Sequence, residues 1–250
     1  MVVTPGVLVD DSRPPVLRLT LNRPSSHNQL DSALIADLLT AVAFAERRTD
    51  IRILAVQATG DDFCSGVALD GSMAVLRERL TAVRDLLSRL ATSPLVTVAV
   101  VTGAATGGGV GLAAVCDHVI VGDDASFRLT EVLVGLVPAI IFPALVRRVG
   151  LQRAYTMALL TEEISADRAV QIGLADTRSA DPVSGLRHLV QRIGAADQGA
   201  VSALKRLRAE LSAAAEPALV DGLPWVLAER LADPGLPERL DRLRANGLTS

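Results

Sequence analysis

The chain has 250 residues, half of them apolar but only six aromatic, and a net charge of -3. That length can bury a large core, which must be built from Leu, Val, Ala and Ile, and the slight acidity argues against the basic stripe of a nucleic-acid surface. Two cysteines, Cys64 and Cys116, are too few for a disulfide framework and read as free thiols of a reducing compartment.

The N-terminal MVVTPGVLVDDSRPP lacks the basic start and long apolar run of a signal peptide. No uncharged apolar stretch reaches the roughly 18 residues of a membrane span. A cytoplasmic protein with no membrane partner is the expectation. Val16 to Leu21 alternates, with Leu17, Leu19 and Leu21 on one face and Arg18 and Thr20 on the other, the periodicity of a strand. NRPSSHN breaks that pattern, and Asp31 can cap a helix whose stripe is Leu34, Ile35, Leu38, Leu39 and Val42. Ile51 to Ala58 is a second strand, ended by the loop signal Thr59-Gly60-Asp61-Asp62. A second amphipathic helix follows, with Leu76, Leu80, Val83, Leu87 and Leu90 on its face. Val96 to Val101 is β-branched throughout most of its length, as in a strand covered on both sides. The glycine cluster Gly103 to Gly111 opens the apolar segment LAAVC, and His118 to Val121 is a further strand.

Strands alternating with helices predict an α/β architecture. Beyond about residue 190 the pattern is purely helical, so the expected division is a core over 1–190 and a helical region over 191–250.

Three segments can carry chemistry: LNRPSSHNQLD (21–31), FCSGVALD (63–70) and GAATGGGVGLAAVCDHVIVGDDASFRLTEVLVGLVP (103–138). Singly each is weak. The glycines suit tight turns as well as they suit ligands; the cluster at 107–111 misses the dinucleotide fingerprint, which wants Gly where Leu112 stands, and there is no Gly-Lys-Ser/Thr phosphate loop. No Cys, His and carboxylate cluster has metal spacing.

In this order and spacing, the segments from about residue 16 to 176 resemble the enoyl-CoA hydratase (crotonase) superfamily. Its marks are an LNRP segment ending in Asn-x-Leu, a Phe-x-x-Gly loop, a Gly-Gly-Gly helix start and a Glu twenty residues beyond the helix's first acidic position. The resemblance implies a ClpP-like spiral of β-β-α turns, with a helical C-terminal region that covers the site and assembles trimers or hexamers. It implies no cofactor beyond the CoA or phosphopantetheine of the substrate. Two backbone N–H groups, of Val67 and Gly108, would hold the thioester oxygen as negative charge develops, each contributing about 3 kcal/mol. Gly108 at a helix start has a free N–H and the positive end of the dipole. His27, Ser65, Ala68, Leu69, Gly107, Gly111 and Thr130 would border the substrate, with the Ser65 carbonyl toward the adenine end of CoA.

Hydratases of the family hold water between two glutamates. Here the first falls at Gly111 and only the second, Glu131, is present. One carboxylate can still move one proton. Ala68 replaces the usual Asp after the oxyanion residue, and Ala139-Ile140-Ile141-Phe142-Pro143 replaces a glycine-rich stretch. With Arg147, Arg148 and Gly150, these departures resemble the dehydratases of polyketide β-branching cassettes, which remove water from 3-hydroxy-3-methylglutaryl groups on acyl carrier protein.

The implied activity is therefore a one-glutamate lyase. The rivals are an isomerase or hydratase of acyl-CoA and a non-catalytic acyl-thioester binder. Plainer readings stand beside these roles: Glu131 as a capping carboxylate, His27 as a solvated loop residue, His118 as structural and His188 as a surface residue. Cys64 has no neighbouring base to activate it, and Trp225 and Tyr155 read as packing anchors.

Overall fold

A computed structural model describes residues 5–215 and 223–245. The chain opens with a hairpin of β1 (Val7–Arg13) and β2 (Val16–Leu21), then α1 (Ser32–Glu46). Asp31 caps α1, its carboxylate accepting from the Leu34 N–H at 2.7 Å, an interaction worth about 1 kcal/mol.

From there the chain climbs in turns of strand, strand and helix: β3 (Ile53–Ala58), β4 (Asp62–Cys64) and α2 (Met73–Thr92), then β5 (Val96–Val101), β6 (Ala104–Thr106) and α3 (Gly108–Ala114). A further turn supplies β7 (His118–Val121) and β8 (Ser126–Arg128), followed by a 3-10 turn at Glu131–Val134. The first strand of each turn joins one sheet and the second joins another. The large sheet runs β1-β2-β3-β5-β7-β10, with β10 at Thr177–Arg178, and the small one runs β4-β6-β8-β9, with β9 at Ile164–Ser165. The sequence predicts this spiral of β-β-α turns by resemblance, and the topology is that spiral.

β3 and β5 show why the large sheet sits at the centre. Leu54, Val56, Ala99 and Val101 face the main core, while Ile53, Ala55, Val98 and Val100 face the opposite side. There Leu186, with Leu189, Val190 and Ile193, packs from α7 (Pro182–Gly194), a helix that runs through position 190. Each fully buried Leu contributes roughly 1.5–3 kcal/mol.

Between these elements lie α4 (Phe142–Val149), α5 (Leu151–Leu160) and α6 (Ala166–Ile172); α8 (Gln198–Ala215), α9 (Leu223–Leu231) and α10 (Leu236–Ala245) complete the described chain. Leu227, Leu231, Leu236 and Leu240 of the last two helices form a satellite core with Leu76, Val134, Leu136 and Ala139. Lys205, the one lysine of the chain, ties α8 to the sheet: its Nζ donates to the Leu95 carbonyl at 2.5 Å and to Asp117 Oδ2 at 2.6 Å.

One element was missed and one expectation is corrected. β1 is absent from the sequence reading. Tyr155 is no packing anchor, because it stands 53% exposed on the outer face of α5. The Trp225 side chain and the end of the chain after 245 lie outside the described residues. Among the described residues, no helix is long and apolar enough to cross a membrane, and no group of three or more His, Cys, Asp or Glu could hold a metal.

Candidate active site

The segment 21–31 is held by a buried asparagine. Asn28 is fully buried with φ of 51°. Its Nδ2 donates to the carbonyls of Thr59 (2.9 Å) and Asp62 (2.8 Å), and its Oδ1 accepts from the Arg23 N–H at 2.8 Å. A buried amide so satisfied fixes its loop.

Two residues on, Leu30 forms a parallel bridge with Val67. The Leu30 N–H donates to the Gly66 carbonyl at 2.8 Å, and the Ala68 N–H donates to the Leu30 carbonyl at 3.1 Å. This pairing takes the groups on both sides of the Val67 N–H and leaves that N–H out.

Gly66 is required here. Its φ is +99°, and a methyl group on it would lie 2.9 Å from the Thr106 carbonyl oxygen and 3.3 Å from the Gly108 nitrogen. The loop 65–68 is thereby pressed against the start of α3. A methyl on Gly108 would in turn lie 3.3 Å from the Val67 nitrogen. The Val67 and Gly108 amides are thus neighbours, and the first N–H groups of a helix have no intrahelical partner.

Glu131 comes to the same place from the far side. Gly107, with φ of +49° and ψ of -114°, donates its N–H to the Arg128 carbonyl at 2.8 Å, and a methyl on it would lie 3.1 Å from Glu131 Oε1. Glu131 opens a 3-10 turn, and its carbonyl accepts from the Leu136 N–H at 2.9 Å. Its Oε2 is shielded from solvent and has no hydrogen-bond partner in the protein. Burial pushes this carboxyl up to about 7, against smaller opposing contributions from the backbone amides of Glu131 and Thr130.

These groups line one cavity of about 610 Å³, within the range of ligand sites. Of the residues expected from sequence, His27, Ser65, Val67, Leu69, Gly107, Gly108, Thr130 and Glu131 are on its wall. Ala68 and Gly111 are not. Ala68 faces the core at 2% exposure, with its N–H and carbonyl bound to Leu30 and Arg79. Gly111 is buried in α3, and the space a side chain there would take is filled by Ile141. The wall beyond Glu131 is apolar and includes Leu80, Val83, Val137, Ile140, Ile141 and, from α9, Leu227.

His27 is half-exposed, in a left-handed conformation, with Nδ1 2.5 Å from Asp62 Oδ2. Its carbonyl accepts from the Ser65 N–H at 3.0 Å, so it braces the same loop.

Sequence reasoning missed Arg79. It stands on the apolar stripe of α2 between Leu76 and Val83 and is 5% exposed. Its guanidinium donates to the Ala68 carbonyl and to Asp70 Oδ1 (2.8 Å), clasping the loop that follows Val67. Its one mark in the sequence is a cation at core spacing, which does not say what the cation binds.

Cys64 and Cys116 are free and buried, and burial pushes both thiols up to about 12, so neither is a thiolate near neutrality. His118 is structural, its Nε2 3.0 Å from Thr177 Oγ1, with burial holding its pKa below the usual imidazole value. His188 is exposed on α7. The arrangement therefore brings two resources to one cavity: a pair of neighbouring backbone amides, and a carboxyl that burial pushes up to about 7.

The enoyl-CoA hydratase/isomerase family profile matches residues 12–225. The chain is 30% identical over 202 residues to the bacillaene synthase dehydratase PksH of Bacillus subtilis (strain 168), covering 78% of each protein. It is 37% identical over 163 residues to the 2,3-dehydroadipyl-CoA hydratase of Escherichia coli (strain K12), covering 64% of each, a little under two thirds of that relative. A solved structure of pksH from Bacillus subtilis superposes with a TM-score of 0.86 at 26% identity, over 98% of this chain and 99% of that one.

Proposed function

The chain belongs to the enoyl-CoA hydratase/isomerase family, the crotonase superfamily, and on that footing we propose that it is a lyase that dehydrates a β-hydroxyacyl thioester with one glutamate. The observation that carries the reading is the meeting of three groups at the start of α3: the Val67 and Gly108 amides and, across Gly107, the buried carboxyl of Glu131, whose Oε2 has no partner in the protein.

The Glu131 carboxylate takes a proton from the carbon next to the thioester. The electron pair of that C–H bond moves to the thioester oxygen, giving an enolate held by the two N–H groups. The pair then returns to form the carbon–carbon double bond as the bond to the β-hydroxyl breaks. The departing hydroxide takes the proton from Glu131, so one water leaves and the carboxylate is restored. A carboxyl near 7 suits both halves of this exchange.

The substrate we propose is a 3-hydroxy-3-methylglutaryl-type group on acyl carrier protein in polyketide biosynthesis. Similarity to PksH supports it, as do Gly111 and the 139–143 segment. We also take the chain to act as a closed ring of copies, three or six, in line with its family. Support comes from the apolar face of α8, where Leu204, Leu207 and Leu211 are 65%, 50% and 61% exposed.

The test is turnover of 3-hydroxy-3-methylglutaryl thioesters on both carriers. Loss of water from the carrier-protein form is the expected result. Turnover of simple enoyl-CoA alone would instead support an acyl-CoA hydratase or isomerase, a reading favoured by the similarity to 2,3-dehydroadipyl-CoA hydratase. A protein that binds thioesters and turns over none of them would be a binder.

A further inference from the structure

Gly111 and Ile141 are interlocked. A methyl group on Gly111 would lie 2.1 Å from Ile141 Cγ2 and 2.8 Å from its Cβ, with Leu87 Cδ1 at 3.4 Å. Ile141 therefore occupies the volume that any side chain at 111 would need, and it is itself on the cavity wall and only 3% exposed. Its backbone is fixed as well: the Ile141 N–H donates to the Pro138 carbonyl at 3.1 Å, and its own carbonyl accepts from Ala144 at 3.1 Å and Leu145 at 3.2 Å at the start of α4.

The position matters because of helix periodicity. Gly111 donates its N–H to the Gly107 carbonyl at 3.2 Å, so it lies on the same face as Gly107, about 6 Å further along α3. Ile141 thus meets the cavity one helical turn inward from the amides. An acyl group whose thioester oxygen sat on those amides and whose chain ran along α3 would bring its β-carbon, two bonds beyond the carbonyl carbon, to this stretch of wall. Opposite Glu131 the wall offers methyl groups: Ile141 and Ile140 on one side, Val83 and Leu80 of α2 as further lining. An alkyl branch on the β-carbon would be desolvated against it, whereas a polar branch would lose its hydrogen bonds.

We propose that Ile141 is a specificity-determining residue, shaping the cavity for acyl thioesters that carry an alkyl branch on the β-carbon. The proposal rests on the thioester reading of the site, and its test is chosen to stand apart from turnover.

The probes are two saturated, unreactive thioesters that differ by one methyl group, 3-methylbutyryl-CoA and butyryl-CoA. Their dissociation constants are measured calorimetrically on the whole protein and on its Ile141→Ala and Ile141→Val variants. One well-packed methylene equivalent is worth roughly 10-fold or more. The expected result is a preference of about 10-fold for the branched probe, falling to within about 2-fold in Ile141→Ala and lying between in Ile141→Val. A residue with a merely structural role would weaken both probes alike and leave the ratio unchanged, and an unchanged ratio overturns the proposal. So does a wild-type protein with no preference.

Thermal unfolding checks the wall itself. Gly111→Ala is expected to lower Tm and the double variant Gly111→Ala/Ile141→Ala to recover part of that loss; a Gly111→Ala protein as stable as wild type also overturns the assignment. Failure of the lyase reading would appear elsewhere, as absent turnover with the binding ratio intact.

Discussion

Glu131 rests against Gly107: its Oε1 lies where a methyl group on that glycine would come to 3.1 Å. The carboxyl and the helix start are thus in contact through a residue that has no side chain. Gly107→Ala is therefore expected to fail on two counts, since φ of +49° with ψ of -114° strains any L side chain and the added methyl crowds the carboxyl. We expect kcat/KM to fall at least 10-fold and stability to drop by about 1–3 kcal/mol. Unaltered kinetics in a folded Gly107→Ala protein would contradict the placement of Glu131.

The pH dependence of the reaction follows from the same carboxyl. Burial raises it from 4.5 to about 7, and the proposed first step needs it ionised. Below about pH 7, kcat/KM is expected to fall 10-fold per pH unit, and above that to level off. A limb centred near 4.5 would mean that another carboxylate does the work. Glu131→Gln should remove at least about 100-fold of the activity at any pH.

Stability provides a measurement independent of substrate. The folded carboxyl holds its proton more tightly than the unfolded one, so folding free energy is unaffected below about 4.5, declines between 4.5 and about 7, and is level above. Relative to wild type, Glu131→Gln should gain up to about 3 kcal/mol between pH 4.5 and pH 8. Equal pH profiles for the two proteins in denaturant titrations would show that the carboxyl is solvated.

Asn28 is the residue whose loss should reach furthest. Asn28→Ala leaves the Thr59 and Asp62 carbonyls and the Arg23 N–H without their buried partner, at about 2–3 kcal/mol. Because Leu30, two residues away, holds Gly66 and Ala68, kcat is expected to fall along with Tm. Loss of stability alone, with kcat intact, would show that the two loops are uncoupled.

Much of this was legible beforehand, and what escaped has physical reasons. β2, β3, β5 and the stripes of α1 and α2 carry enough apolar residues at regular spacing to be read directly. β1 does not: in Val7–Arg13 only Val7 and Val9 turn inward, and Asp10 and Asp11 follow. β4, β6 and β8 have three residues each, too few for any period, so the second sheet emerges only by resemblance. Val67, Gly108 and Glu131 were found because motif spacing marks them. Arg79 was not, since a charge inside a stripe is ordinarily solvated and only the fold reveals the carbonyls it binds. Tyr155 was misread because an aromatic residue is usually buried, and here the outer face of α5 is bare.

The clasp between Lys205 and Asp117 has a practical corollary. Apart from the α-amino group, this chain offers amine-selective reagents a single target, and that nitrogen is committed to a carboxylate and a carbonyl beneath α8. Acylation at 205 competes with both contacts, since the amine must leave the Leu95 carbonyl and the Asp117 carboxylate to react. The rate at which such a reagent consumes the one lysine therefore reports how often that pair of contacts opens.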